Sequence, residues 1–168
     1  MFQLYDDTVI YIFCPSKTTT GGPEALHQLC DAINLQGGNA KMVYVHYGFE
    51  KIVKSPKPLQ YWMYCSNATL IVNDNSRNIA IVPEIWPHLL NKYQHIQKAV
   101  WWLSVNYLRE EKVLGEKEFQ HLYQSSYARN FLLANGIESP EPLYDYLNVP
   151  VKKKDTGKHR SAIIPRRA

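Results

Sequence analysis

The sequence of 168 residues contains five short stretches with side chains or backbone suited to chemistry. The first, Ser16 to Glu24 (SKTTTGGPE), is small or polar through Gly22 apart from Lys17. Its Gly21-Gly22 pair permits positive φ and lets a ligand approach the backbone closely. With Pro23 at the first helical position and Glu24 in the first turn, a helix opening there would aim backbone N–H groups and its positive dipole end at a phosphate. The same pair also reads as a tight turn with no ligand. Glu84 follows an apolar run and Pro83, either as a carboxylate at a ligand edge or as a helix N-terminal acid stabilised by the dipole. His46 is a general base near neutral pH or a hydrogen-bonding spectator. Ser104 to Tyr107 and Ser125-Ser126 complete the set.

These stretches share a position, just beyond a strand-like run. Thr8 to Phe13 is continuously apolar, β-branched and aromatic, the pattern of a strand buried on both faces of a parallel sheet. Leu26, Leu29, Cys30 and Ile33 fall on one face of the helix that follows, and Gly37-Gly38 stops it. Ala40 to Tyr47 then reads as the second strand of a βαβ unit. Gly48 to Pro58 reads as an exposed loop, and Leu59 to Cys65 fits a short helix or a strand.

Further strands are expected at Ala68 to Val72, Ile79 to Val82, Lys98 to Val105 and Phe119 to Ser125. Helices are expected at Ile85 to Tyr93 and, capped by Ser126, at Tyr127 to Asn135 with Gly136 as its stop. The alternation predicts a single Rossmann-like α/β domain over residues 1–150, its sheet mostly parallel, of five to seven strands and covered by helices on both faces. In such a sheet ligands bind beyond the carboxyl ends of the strands, which is why those five stretches matter. Trp101-Trp102 read as core packing or as a wall of a sugar site.

Several alternatives have no support. There is no GxGxxG, no GxxxxGK[ST] and no GxSxG, so dinucleotide, P-loop and hydrolase fingerprints are absent. Cys14, Cys30 and Cys65 are widely spaced, and His88 and His95 have no ligand spacing, so no metal site is expected. The net charge of +4 is a property of the C-terminus, since residues 151–168 hold seven Lys/Arg and one acid while the remaining 150 carry 12 basic and 14 acidic side chains. The body therefore offers no basic stripe for nucleic acid, and the basic tail, of a kind that can bind nucleic acid or anionic lipid, reads with its short length and lack of aromatics as a solvated linker or chain end. With no secretory start and no apolar run long enough to span a membrane, a cytoplasmic protein is expected.

The runs TGGPEALHQL, IVPEIW, WWLSVNY and LYQSSYARNFLLANGI with PLYDYLN resemble, in order and over nearly the whole chain, the N-terminal half of GT-B glycosyltransferases encoded with bacterial capsule and surface-polysaccharide genes. The resemblance implies that Gly21 and Gly22, grouped with Glu24 as the binding candidates, face the donor diphosphate, and that a sugar or glycan acceptor lies against Glu84, Ser104 and Asn106, the catalytic candidates. It implies a nucleotide sugar as substrate and no resident cofactor. The histidine that many retaining members carry after the strand equivalent to Trp101 to Val105 has no counterpart in LSVNY. SAIIPRRA resembles the start of the linker to a second domain, so the chain is expected to be an acceptor-side half, truncated, split or completed by a separate donor-binding domain. The other readings are a nucleotide-binding or regulatory Rossmann module and a non-catalytic remnant acting as an interaction partner.

Overall fold

A computed structural model describes residues 2–106, 114 and 118–145. Tyr107, the connector from Arg109 to Lys117 apart from Leu114, and the expected boundary between residues 1–150 and the basic segment 151–168 lie outside the described residues.

Among the described residues, the strand-like runs form β1 (Ile10–Pro15), β2 (Ala40–Val45), β3 (Ile79–Pro83), β4 (Gln97–Trp102) and β5 (Phe119–Tyr123), and a short β6 (Glu141–Pro142) follows. They pair in the order β2-β1-β3-β4-β5-β6, every pairing parallel, with Ile10 opposite Ala40 on one side and Ile79 on the other. Helix α1 (Gly21–Leu35) joins β1 to β2, and α2 (Ser126–Ala134) joins β5 to β6. This is the expected Rossmann-like α/β architecture.

Alternation along each strand sends side chains to opposite faces of the sheet. Ile12, Cys14, Met42, Tyr44, Ile81, Ala99 and Trp101 face Ala25, Leu26 and Cys30 of α1. Phe13, Val43, Val45, Val82, Val100 and Trp102 pack on the other side with Ala128 and Leu132 of α2 and with Trp86, Leu89 and Leu90. Full burial of one such aliphatic side chain contributes ~1.5–3 kcal/mol, which is what holds each covering element down. The sheet grows one way from β1 to β2 and the other way from β3 to β6. Crossovers of one handedness must then lie on opposite faces, as α1 and α2 do.

The structure departs from the sequence reading in five places. Helix α1 begins two residues before Pro23, with Thr20 as N-cap, so Gly21 and Gly22 are helical and neither has positive φ. Pro23 is accommodated because N–H groups of a first turn have no intrahelical acceptor to lose. The sharp reversal falls instead on Lys17, at φ 58°. Ile85 to Tyr93 is no α-helix but a 3-10 turn, Pro87–Leu90. Pro87 disfavours helical geometry in the residue before it, and Trp86 sits at φ −137°, ψ 40°.

Ala68 to Val72 gives one bridge, Met42 to Ala68, before the chain leaves the sheet with Ile71 76% exposed. Ser125, not Ser126, caps α2 by accepting the Ala128 N–H at 3.2 Å. Strand β6 was not expected, being two residues long and half proline. Gly37 and Gly136 end their helices at φ 84° and 85°, as the sequence indicates. No helix among the described residues is long and apolar enough to cross a membrane.

Candidate functional site

The reversal of strand order between β1 and β3 opens a crevice at the carboxyl ends of the strands, the usual ligand position in this architecture. A cavity of about 540 Å³ lies there. Its walls come from the residues after β1 (Thr18, Thr20), the start of α1 (Gly21, Gly22, Glu24), the end of β3 (Pro83, Glu84), the turn after β4 (Leu103, Ser104), and Gln124 and Asp145.

At the α1 side, the Thr20 side chain makes no capping hydrogen bond. The Thr20 carbonyl accepts the Glu24 N–H at 3.1 Å and the Tyr61 hydroxyl at 3.1 Å, which fixes the first turn. The amides of Gly21 and Gly22 belong to the donors that a helix start leaves without intrahelical partners. A Cβ at Gly21 would meet nothing within 4 Å, and one at Gly22 would meet only Leu103 Cδ1 at 3.7 Å. Neither glycine is demanded by φ or by packing; together they leave the backbone bare at the cavity wall. Glu24 Oε1 accepts from the Tyr64 hydroxyl at 3.1 Å, and that hydroxyl accepts from Gln28 Nε2 at 3.2 Å, so the carboxylate is held from behind.

Across the cavity, Glu84 is only 4% exposed. Its Oε2 accepts the Leu103 N–H at 3.2 Å. Burial dominates and pushes its carboxyl up to about 7, against the opposing pull of the amides of Glu84, Leu103 and Ser104. A carboxyl balanced near neutrality can take a proton from a ligand hydroxyl or return one.

Of the other sequence candidates, Ser104 lies on the wall beside Glu84, and its Oγ accepts the Asn106 N–H at 3.2 Å. Asn106 itself is exposed and off the wall. His46 is also off the wall, and its Nδ1 accepts the N–H groups of Gly48 and Phe49 to close a turn. Trp101 and Trp102 are buried, their indole N–H groups donating to the Leu143 carbonyl and to His121 Nδ1, and neither lines the cavity.

Gln124 and Asp145 were missed. Gln124 is the first residue beyond β5 and obeys the strand-end rule that selected the others. Asp145 had no local signal, because it reaches the wall only through the return of β6, where Gln124 Nε2 donates to Asp145 Oδ2.

The described wall thus carries three carboxyl groups, Glu24, Glu84 and Asp145, and no lysine, arginine or histidine. No three His, Cys, Asp or Glu among the described residues converge closely enough to hold a metal ion. Of the cysteines, Cys14 and Cys30 are buried thiols, Cys30 being pushed up to about 12 chiefly by burial, while Cys65 is exposed. Comparison with protein-family models, with curated proteins and with solved structures finds no match.

Proposed function

We propose that this chain is the acceptor-side domain of a GT-B-like glycosyltransferase, holding a sugar in the cavity at the carboxyl ends of β1, β3 and β4. The observation that carries the reading is the pairing of a buried, hydrogen-bonded Glu84 with a wall that has donors and acceptors but, among the described residues, no cation. A sugar presents hydroxyls that both donate and accept. Glu84 and Ser104 would receive them from one side and the Gly21 and Gly22 amides would donate from the other.

In this reading Glu84 acts as the base toward an acceptor hydroxyl, and Ser104 orients it. The donor diphosphate would be held by a second, donor-binding domain. The cavity wall itself is unfavourable for a diphosphate, since Glu24 sits in the helix turn whose dipole would have attracted it. That argues against the nucleotide-binding or regulatory module as the role of this domain.

The test is an amide NMR titration of the full chain with glucose, N-acetylglucosamine, UDP and UDP-glucose. Neutral sugars should move the resonances of Gly21, Gly22, Leu103 and Ser104, and UDP should leave them in place at the same concentrations. UDP binding at lower concentration than either sugar would overturn the assignment.

A further inference from the structure

We propose that the connection between β2 and β3 seats this protein on an anionic lipid surface, through the side chains of Leu59, Trp62 and Met63 and the lysines that precede them. The proposal is independent of what the cavity binds. Leu59, Trp62 and Met63 are 85%, 73% and 57% exposed. Single apolar residues on a surface are ordinary, but three so close in the chain, one of them an indole, mark a place of contact.

The backbone beneath them is fixed. The 3-10 turn Leu59–Tyr61 is continued by hydrogen bonds from the Trp62 N–H to the Leu59 carbonyl and from the Tyr64 N–H to the Tyr61 carbonyl. At three residues per turn, positions i and i+3 share a side. Tyr61 and Tyr64 are buried on the inner side, and Leu59 and Trp62 stand on the outer one. The Tyr61 hydroxyl donates to the Thr20 carbonyl and the Tyr64 hydroxyl to Glu24, which ties the turn to the start of α1. Lys57 Nζ donates to the Tyr64 carbonyl and closes the turn from its own side. The apolar side chains are therefore held outward by a braced turn.

Charge selects the partner. Residues 51–73 hold Lys51, Lys54 and Lys57 and no acid, in a body whose acids outnumber its bases 14 to 12. Lys51 and Lys54 are exposed. The α1 acids that reach this segment are engaged from behind it, Glu24 by the Tyr64 hydroxyl and Asp31 by the Cys65 N–H. Lysine is depleted at protein interfaces, which disfavours a protein as the occupant. At a bilayer the same residues fit together, because lysine stems lie along the apolar boundary with their ammonium groups among anionic headgroups, and an indole rests at headgroup level. Such a seat lies in the interface and needs no spanning helix.

The experiment uses the full chain with Trp62 as reporter, since Trp86, Trp101 and Trp102 are buried and only the Trp62 indole is open to acrylamide. The chain is titrated at low salt with vesicles of phosphatidylcholine and of an equal mixture of phosphatidylcholine and phosphatidylglycerol. The mixed vesicles should shift Trp62 emission to the blue and shield it from acrylamide, and phosphatidylcholine alone should do neither at the same lipid concentration. Leu59→Gln with Met63→Gln should weaken binding about tenfold or more while keeping the reporter. Lys51→Gln with Lys54→Gln should weaken it about fivefold for each lysine. All four side chains are exposed, so both variants should keep the parent urea midpoint. Binding of the mixed vesicles that leaves Trp62 open to acrylamide would overturn the proposal and assign the attraction to the basic residues 151–168. Shielding of Trp62 that grows with protein concentration in the absence of lipid would overturn it in favour of a second copy on the same face. No change with either vesicle, or an equal change with both, would also overturn it.

Discussion

The Leu103 N–H donates to Glu84 Oε2 at 3.2 Å, so the first residue beyond β4 is bonded to the first residue beyond β3. Two strand ends that meet side by side in the sheet are thereby joined again above it, and the carboxyl group that joins them is the one facing the cavity. Its protonation state should be felt in stability as well as in binding.

Glu84 keeps its proton to about pH 7 in the folded chain, against an ordinary value of 4.5. Between those values the folded state binds more protons than the unfolded one, so its contribution to stability is greatest at low pH, falls as pH rises through about 7, and is then constant. The full shift corresponds to roughly 3 kcal/mol. In urea denaturation, Glu84→Gln should remove that slope, gaining on the parent by up to about 3 kcal/mol between pH 5 and pH 8. A difference between the two proteins that does not change with pH would contradict the assignment.

His121 should behave in the opposite sense. It is buried and its Nδ1 accepts the Trp102 indole N–H at 3.0 Å. Burial lowers its value from 6.5 to about 4. The unfolded chain therefore takes up a proton that the native state refuses, and stability is lost as pH falls from about 6.5 toward 4, by roughly 3 kcal/mol in all. Ring-carbon NMR should find the His121 midpoint near 4. Replacement by alanine should cost at least the ~1–3 kcal/mol of a buried indole N–H left without its acceptor, seen as a lowered urea midpoint.

The glycines separate backbone need from ligand need. Gly21→Ala and Gly22→Ala should leave stability unchanged or raise it by up to about 1 kcal/mol, because both positions are helical and a Cβ has room. Both should weaken sugar binding in the NMR titration, since the Cβ enters the face left bare toward the cavity. Gly38→Ala should instead cost about 1–3 kcal/mol, because its Cβ would lie 2.6 Å from Ile33 Cγ2 and 3.0 Å from the Ile33 carbonyl oxygen.

The chain on its own should not transfer sugar. Stabilising the leaving diphosphate is chiefly an electrostatic task, and loss of one preorganised donor can cost ~10²–10³ in rate. Among the described residues, the cavity wall offers no basic side chain to meet that charge. Incubation with nucleotide sugars and acceptors should give no product, with transfer arising only when a donor-binding domain is added. Turnover by the chain alone, lost in Glu84→Ala, would refute the acceptor-side reading.

The inner sheet was legible because β1, β2 and β3 are buried on both faces and so read as nearly unbroken apolar runs punctuated by proline, glycine or a polar turn. The same logic overreached at Ala68 to Val72, where a strand-like run of apolar residues makes a single bridge and then turns into solvent. Local composition says nothing about whether a neighbouring strand remains to be paired with. Gly21, Gly22, Glu24, Glu84 and Ser104 were found by the rule that ligands sit beyond strand ends, and they do share one cavity. Asn106 satisfied that rule but was carried outward by the turn after β4, and Asp145 escaped it because β6 gives almost no apolar signal. The helical conformation of the two glycines was hidden by Pro23, which fits several positions of a first turn.

Among the described residues, neither margin of the sheet presents a long open ladder. Along β2, the Met42 N–H donates to the Asn67 carbonyl and the Met42 carbonyl accepts from Thr69, while the Tyr44 carbonyl accepts from Val53. At the far side β6 is two residues long and ends in Pro142, which has no N–H to offer. A parallel sheet of this kind would otherwise invite another polypeptide to add a strand and seed clumping or exchange between copies. Here those templates are blunted, so lateral growth is suppressed even with Leu70 and Ile71 bare to solvent beside β2. Among the described residues, the surface left for an assembly is that of the faces and the loops rather than the hydrogen-bonded ladder.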